Sequence, residues 1–553
     1  MISMTNRSAI SLSLLTLPAA AQGWEITPLA IDGDSVSGVG LVTSVSQLTL
    51  NDSLDWRVMA DTDHPDTTKD GVVLGPSGIQ AREGQFLLLP IGATIGGFDS
   101  LALSPSGDTA YTLWLDGTGG SATNNGLFWN LDLLAQKGGV SGAVGFSPGT
   151  TYGAFDQVHL SDDNELLAHC TVDDPSIPGL SDSALMRIIT GGSGVLLAEI
   201  IVAKEGDTLF GTTARIEGIG QGHHSADLND AGSVIYGVRT DLPVAENGFL
   251  MLDNQVLAQE GHPSPVAGRN WKTLWGVNVT LNNAGDHAYL GILDGDALSD
   301  SAIIRNGVKF IQQGDPVPGF PGEEIDPTIG SSVLLTEAGQ LLWHGHWGSQ
   351  PLPNSEGALF LDHELVVREG VSMVGGVTIA EVFATGSSTY ELESDGRAVL
   401  FRAELADGRR GAFLATRPSE IVQVDGCSSD GSSLKHAGGK PLLGGSLDLG
   451  YFSPSTKPGV RFLGMSSSSI VDPLGCGLFL PGIGEILVNY LPPEPFLIPQ
   501  GVHTGGTDIL PLPVLNDQAL VGVTLHFQAI YLFAGDPANP VDLTNALAVT
   551  FGL

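Results

Sequence analysis

The sequence predicts an all-β protein: a seven-bladed β-propeller closed by an N-terminal strand, followed by a C-terminal β-sandwich or jelly-roll-like domain. Three observations carry this. The 553 residues include 75 Gly and 32 Pro, together about 19% against a usual ~12%, so turns are dense and long helices are disfavoured. A short Leu-plus-turn signature recurs seven times. Between the signatures run segments of four to eight residues with period-two apolar alternation, the pattern of half-buried strands.

The first 21 residues read as a cleaved secretory signal. Arg7 precedes an apolar run, Ala9 to Leu17, and Pro18-Ala19-Ala20-Ala21 stands before Gln22. A run this short cannot cross ~30 Å of hydrocarbon, and A-x-A before a polar residue is a cleavage pattern. The expected location is therefore secreted, extracellular or at the cell surface, with no transmembrane segment.

Residues 22–420 carry the repeat. The signature reads LNDSL from Leu48, LSPSG from Leu103, LSDDN from Leu160, LNDAG from Leu228, LNNAG from Leu281, LTEAG from Leu335 and LESDG from Leu392. Each Leu ends one strand, the polar residues and Gly turn the chain, and an alternating strand follows, as in SVIYGV from Ser233. Asn or Asp early in such a turn can accept from its own backbone, and the final Gly takes a positive φ. Downstream, a second signature recurs, as in QAREG ending at Gly84, LAQEG at Gly261 and VVREG at Gly370, each preceded by a short apolar strand. Four strands in about 57 residues make one propeller blade.

The ends of the array fit a ring. The unit from Leu392 lacks the second signature, and the mature N-terminus supplies one in PLAIDGD, Pro28 to Asp34. A strand donated by the N-terminus would complete the seventh blade. From residue 421 to 553 the repeat is gone and alternating strands remain, among them VGVTLHFQAIYLF from Val521. Cys427 and Cys476 share this region and are expected to pair as a disulfide in an exported chain, leaving Cys170 as a small buried residue.

LNDAGSVIY at Leu228 and QQGDPVPG at Gln312 resemble a group of exported bacterial tandem-repeat proteins. Their units have the form L-N-D-x-G followed by A-x-E-G-D. PLGCGLFL around Cys476 and LTNALAVTFG near the C-terminus are similar to a β-module attached to many exported proteins of environmental bacteria. The resemblance implies compartment and architecture, and it carries no activity and no catalytic residue onto this chain.

With 61 acidic against 23 basic residues the net charge is −38, which repels phosphate backbones and argues against nucleic acid as a partner. The composition has no nucleophile elbow, phosphate loop or dinucleotide fingerprint. Asp61, Asp63 and Asp66 fall in an insertion between strands and are weak candidates for Ca²⁺, the one cofactor considered, but they lack the spacing of a calcium loop. His344 and His346 in WHGHW, and His169 in an earlier unit, are weak transition-metal candidates, since residues i and i+2 share one strand face. The reading is an exported binding or structural protein that recognises a glycan, matrix or protein partner through propeller loops. The alternative is an extracellular glycan- or ester-cleaving hydrolase or lyase with its site at the channel.

Overall fold

A computed structural model describes residues 24–551 except 162, 178–181, 192–193, 221–223, 349–355, 385–388, 418–419, 425–431, 443–444, 454–458, 467–477, 481–483, 487–495, 504–505, 516–522 and 533–540. The expected leader at residues 1–21 and the expected Cys427–Cys476 disulfide lie outside the described residues. The described chain is all-β, with no helix, and so no helix long and apolar enough to cross a membrane.

Up to Thr416 the strands form seven small antiparallel sheets in chain order. The signature leucines sit at or near the ends of their first strands: Gly40–Leu50, Thr94–Leu103, Thr151–Leu160, Ala226–Leu228, Val279–Leu281, Ile325–Leu335 and Tyr390–Leu392. The second strands are Trp56–Thr62, Thr109–Asp116, Glu165–Asp173, Val234–Thr240, His287–Leu293, Leu341–Trp347 and Ala398–Leu405. In the first six sheets a third strand and an edge strand follow, such as Gly248–Leu252 and Gln255–Gln259. In the seventh sheet the strand beside Arg410–Thr416 is the N-terminal Glu25–Ile31, in antiparallel register with Glu25 opposite Thr416 and Ile31 opposite Gly411.

The cores lie between sheets, because period two sends alternate residues of each middle strand to opposite neighbours. Tyr236 packs with Leu167 and Leu185 of the third sheet, whereas Ile235 packs with Tyr289 and Ile304 of the fifth. Trp343 and Phe360 meet Ile303 of the fifth sheet, and Leu342 and Leu359 meet Phe401 and Phe413 of the seventh. Met59 and Val73 join the first sheet to Tyr111 and Phe128 of the second, and Leu127 and Trp129 join the second to Phe155 and Leu166 of the third. Leu400 and Leu414 of the seventh sheet pack with Leu48 and Val58 of the first. The first strands likewise touch from each sheet to the next, and Tyr390–Leu392 touches Gly40–Leu50.

Beyond residue 420 there are a five-stranded sheet, a three-stranded sheet and a two-stranded ribbon among the described residues. Leu447, Leu449 and Tyr451 of the three-stranded sheet share one core with Phe527, Ala529, Tyr531 and Leu547 of the five-stranded sheet. The Asn545 side chain accepts from the Leu434 N–H and donates to the Leu434 carbonyl, both at 2.8 Å, which bonds one sheet to the other.

Candidate functional site

Several buried polar side chains of the repeat bond one sheet to the next. In the Leu-Asn turns, Asn229 Oδ1 accepts from Ser233 N at 2.9 Å and Asn282 Oδ1 from Asp286 N at 2.8 Å, which caps their own turns. The other end of each amide reaches the next unit: Asn51 Nδ2 donates to Ser104 O at 2.7 Å, Asn229 Nδ2 to Asn282 O at 3.1 Å and Asn282 Nδ2 to Thr336 O at 2.9 Å. Between the seventh and first units, Ser394 N donates to Asp52 Oδ1 at 3.1 Å.

A second belt bonds the first strands side by side. Gln47 accepts from Leu101 N, Ser100 from Val158 N, Asp227 from Leu281 N and Thr280 from Leu335 N. Tyr390 donates its hydroxyl to Ser332 O. Burial pushes the Asp227 carboxyl up to about 6. The sequence reading missed Asp227, whose partner lies one repeat period away.

The Glu of the second signature is a clasp. Glu260 is buried and accepts from Gly248 N at 3.0 Å and from Leu274 N at 2.8 Å, so it ties its own third strand to the segment leading into the next sheet. Glu369 does the same for Val382 N at 2.8 Å, and burial raises its pKa to about 7. Glu83 accepts from Gly71 N at 2.9 Å, and burial, aided by Asp70, raises it to about 7. The strand-opening glycines follow from this: a Cβ at Gly248 would stand 2.3 Å from the Glu260 carboxyl, and one at Gly357 2.8 Å from that of Glu369.

The acidic candidates are engaged locally. Asp61 accepts from Ser44 Oγ at 2.8 Å and Asp63 from Leu41 N at 2.7 Å. Asp66 pairs with Lys69 at 2.5 Å and accepts from Thr68, which hold its carboxyl well below the usual carboxylate range. Among the described residues no three His, Cys, Asp or Glu side chains are grouped so as to hold a metal ion.

The histidines separate. His344 and His346 lie together in the sixth sheet, ring centroids 4.4 Å apart, on the strand face opposite Trp343 and Trp347. His344 is fully buried, and burial together with His346 keeps its pKa well below the ordinary value. Neither of its ring nitrogens has a hydrogen-bond partner among the described residues. His169, in the third sheet, sits 3.3 Å from Asp156. Asp99 is near that pair, its carboxyl raised to about 6 by burial and by Asp156. Cys170 is a free, buried cysteine, its thiol pushed far up by burial.

One concavity lies elsewhere, a cavity of about 620 Å³ between the first and seventh sheets. None of the residues chosen from the sequence lines it.

No protein-family model matches the chain, and no curated protein matches it. Among solved structures it is similar to a GH74 xyloglucanase from Xanthomonas campestris, at TM-score 0.33 and 12% identity over 78% of this chain and 65% of that one. It is also similar to a subtype N10 neuraminidase-like protein of A/little yellow-shouldered bat/Guatemala/060/2010, at TM-score 0.25 and 10% identity over 71% of this chain and 97% of that one. A glycoside hydrolase family 32 structure from Bifidobacterium adolescentis matches at TM-score 0.20 and 12% identity, over 89% of this chain and 86% of that one. The chain spans about 65% of the length of the Xanthomonas enzyme it matches.

Proposed function

We propose that the seven sheets are the blades of a closed propeller, that a β-sandwich domain follows from residue 421, and that the exported chain is a binding or structural protein. Its partner is a protein, a glycan or a matrix component held at one end of the propeller, and a protein surface is favoured. The observation that carries this is the character of the loops at that end.

Antiparallel order places the connections between second and third strands at the same end as those that leave each edge strand. Large apolar side chains stand exposed there: Phe86, Leu88 and Ile91 in one loop, and Val144, Phe210, Val244 and Leu298 in others, with Ile91 at 89% exposure. Three exposed apolar side chains in one loop, Phe86, Leu88 and Ile91, on an otherwise acidic surface suit a protein contact. Asp61, Asp63, Asp241, Asp294 and Asp296 share that end, so the partner would carry basic groups around an apolar centre.

The test is a binding screen of the mature chain from Gln22 against secreted-protein, matrix and glycan panels. Leu88→Ser with Ile91→Ser is expected to weaken binding at least tenfold, while Asn283→Ala at the turn end leaves it unchanged. Equal binding by both variants would overturn the loop-end assignment.

The pairing of His169 with Asp156 beside Asp99 favours a second reading, a channel-site hydrolase or lyase in which these groups move protons. That reading requires turnover of chromogenic glycosides or esters that is lost in His169→Gln. An absence of turnover would remove it.

A further inference from the structure

We propose that the cavity between the first and seventh sheets is a binding site for a neutral sugar residue. Its origin lies in a chain length. From the glycine of the second signature to the next signature Leu the other connections run 19 to 22 residues, but Gly33 to Leu48 is only 15. Val36, three residues past Gly33, is buried as Leu87, Leu209 and Val317 are at the same step past their own glycines, so the shortening falls after that position. Here the shorter connection leaves a cavity of about 620 Å³, within the ~300–1,000 Å³ of small-molecule sites.

The walls specify the ligand. Trp56, Leu74 and Val42 of the first sheet and Leu29 beside the N-terminal edge form an apolar side. Ser35, Ser37 and Ser77 and the Asp34 carboxylate supply hydroxyl and acceptor groups. No Lys or Arg lines the cavity itself; Arg57 Nη1 lies behind the wall, 3.0 Å from where a Cβ on Gly75 would stand, and is engaged with the Trp56 carbonyl at 2.8 Å, so Asp34 and a protein charge of −38 disfavour an anionic ligand. A pyranose has an apolar C–H face that can lie on an indole, and a rim of hydroxyls that exchange hydrogen bonds with serine and carboxylate. The combination of one aromatic wall, several hydroxyls and no cation fits such a ring.

Asp34, Ser35 and Ser37 belong to the connection that leaves the N-terminal edge strand, but none of the exposed apolar loop residues Phe86, Leu88 and Ile91 lines the cavity, so the two readings are tested by different substitutions and fail separately. Isothermal titration of the full mature chain with cellotetraose, mannotetraose and β-1,4-galactotetraose, and with trigalacturonate as the charged control, tests it. At least one neutral tetrasaccharide should bind and trigalacturonate should not. Trp56→Ala should weaken that binding at least tenfold, and Trp275→Ala, at another partly exposed indole, should leave it unchanged. Because Trp56 also packs against the core of the seam, Ser77→Trp gives a second arm: residue 77 is exposed, and an indole there obstructs the cavity from the surface. It too should abolish binding, with the thermal midpoint unchanged. Absence of binding by all three neutral probes, or binding that survives both substitutions, overturns the proposal. Equal binding of trigalacturonate also overturns it.

Discussion

Asn282 works in two directions, its carbonyl capping its own turn and its amide bonding the Thr336 carbonyl of the next unit. Asn282→Ala leaves the Asp286 N–H without its acceptor and removes the inter-unit donor from the Thr336 carbonyl, which keeps only the Gly339 N–H at 2.9 Å, and a loss of roughly 2 kcal/mol is expected. Asn283 is exposed and exchanges hydrogen bonds with Asp230 of the preceding unit in solvent, so Asn283→Ala should cost only about 0.5–1 kcal/mol. Urea denaturation midpoints of the two variants separate these outcomes. Gly248 is constrained differently: its added Cβ would meet the Glu260 carboxyl at 2.3 Å. Gly248→Ala is thus expected to cost about 1–3 kcal/mol by overpacking, read from the same midpoints. The sequence disclosed half of Asn282's role, since a turn cap is a local event. Its amide bond joins residues 54 apart in the chain, and no local pattern displays a partner at that separation.

Between elements, the clasps make stability depend on pH. Glu369 titrates near 7 in the fold against an ordinary value of 4.5, because burial favours its neutral form. Its contribution is complete below pH 4.5 and is lost as pH rises through 7. Glu369→Gln mimics the neutral form, so thermal midpoints should show wild type falling relative to the variant between pH 5 and 8. A difference that stays constant over that range would contradict the assignment.

His344 acts with the opposite sign. Its folded pKa lies below 6.5, so its contribution is present above pH 6.5 and is lost on acidification. His344→Phe should narrow the drop in thermal midpoint between pH 7 and 5. The sequence placed His344 and His346 on the face opposite Trp343 and Trp347, because period two is written in the residues themselves. It did not reveal which sheet covers that face, or that His169 has Asp156 for a neighbour. Those facts depend on how separate sheets pack. The same holds for the cavity, whose one sequence trace is the short connection from Gly33 to Leu48.

For the whole molecule, the seven-fold turn pattern was legible because each unit repeats the same local problem of ending one strand and starting the next. The contacts of Leu400 and Leu414 with Leu48 and Val58, and of Glu25–Ile31 with Arg410–Thr416, support the proposed closure of the ring. The most direct test of that closure is a cross-link between residues 391 positions apart. Glu25 and Thr416 stand opposite each other in the antiparallel register, a spacing of roughly 4.5–5.5 Å between Cα atoms that suits a disulfide. In Glu25→Cys with Thr416→Cys, mild oxidation of the folded protein and peptide mapping should find one intramolecular link between positions 25 and 416. Thiols that remain free in the folded chain, or links that join two chains, would contradict the closed ring.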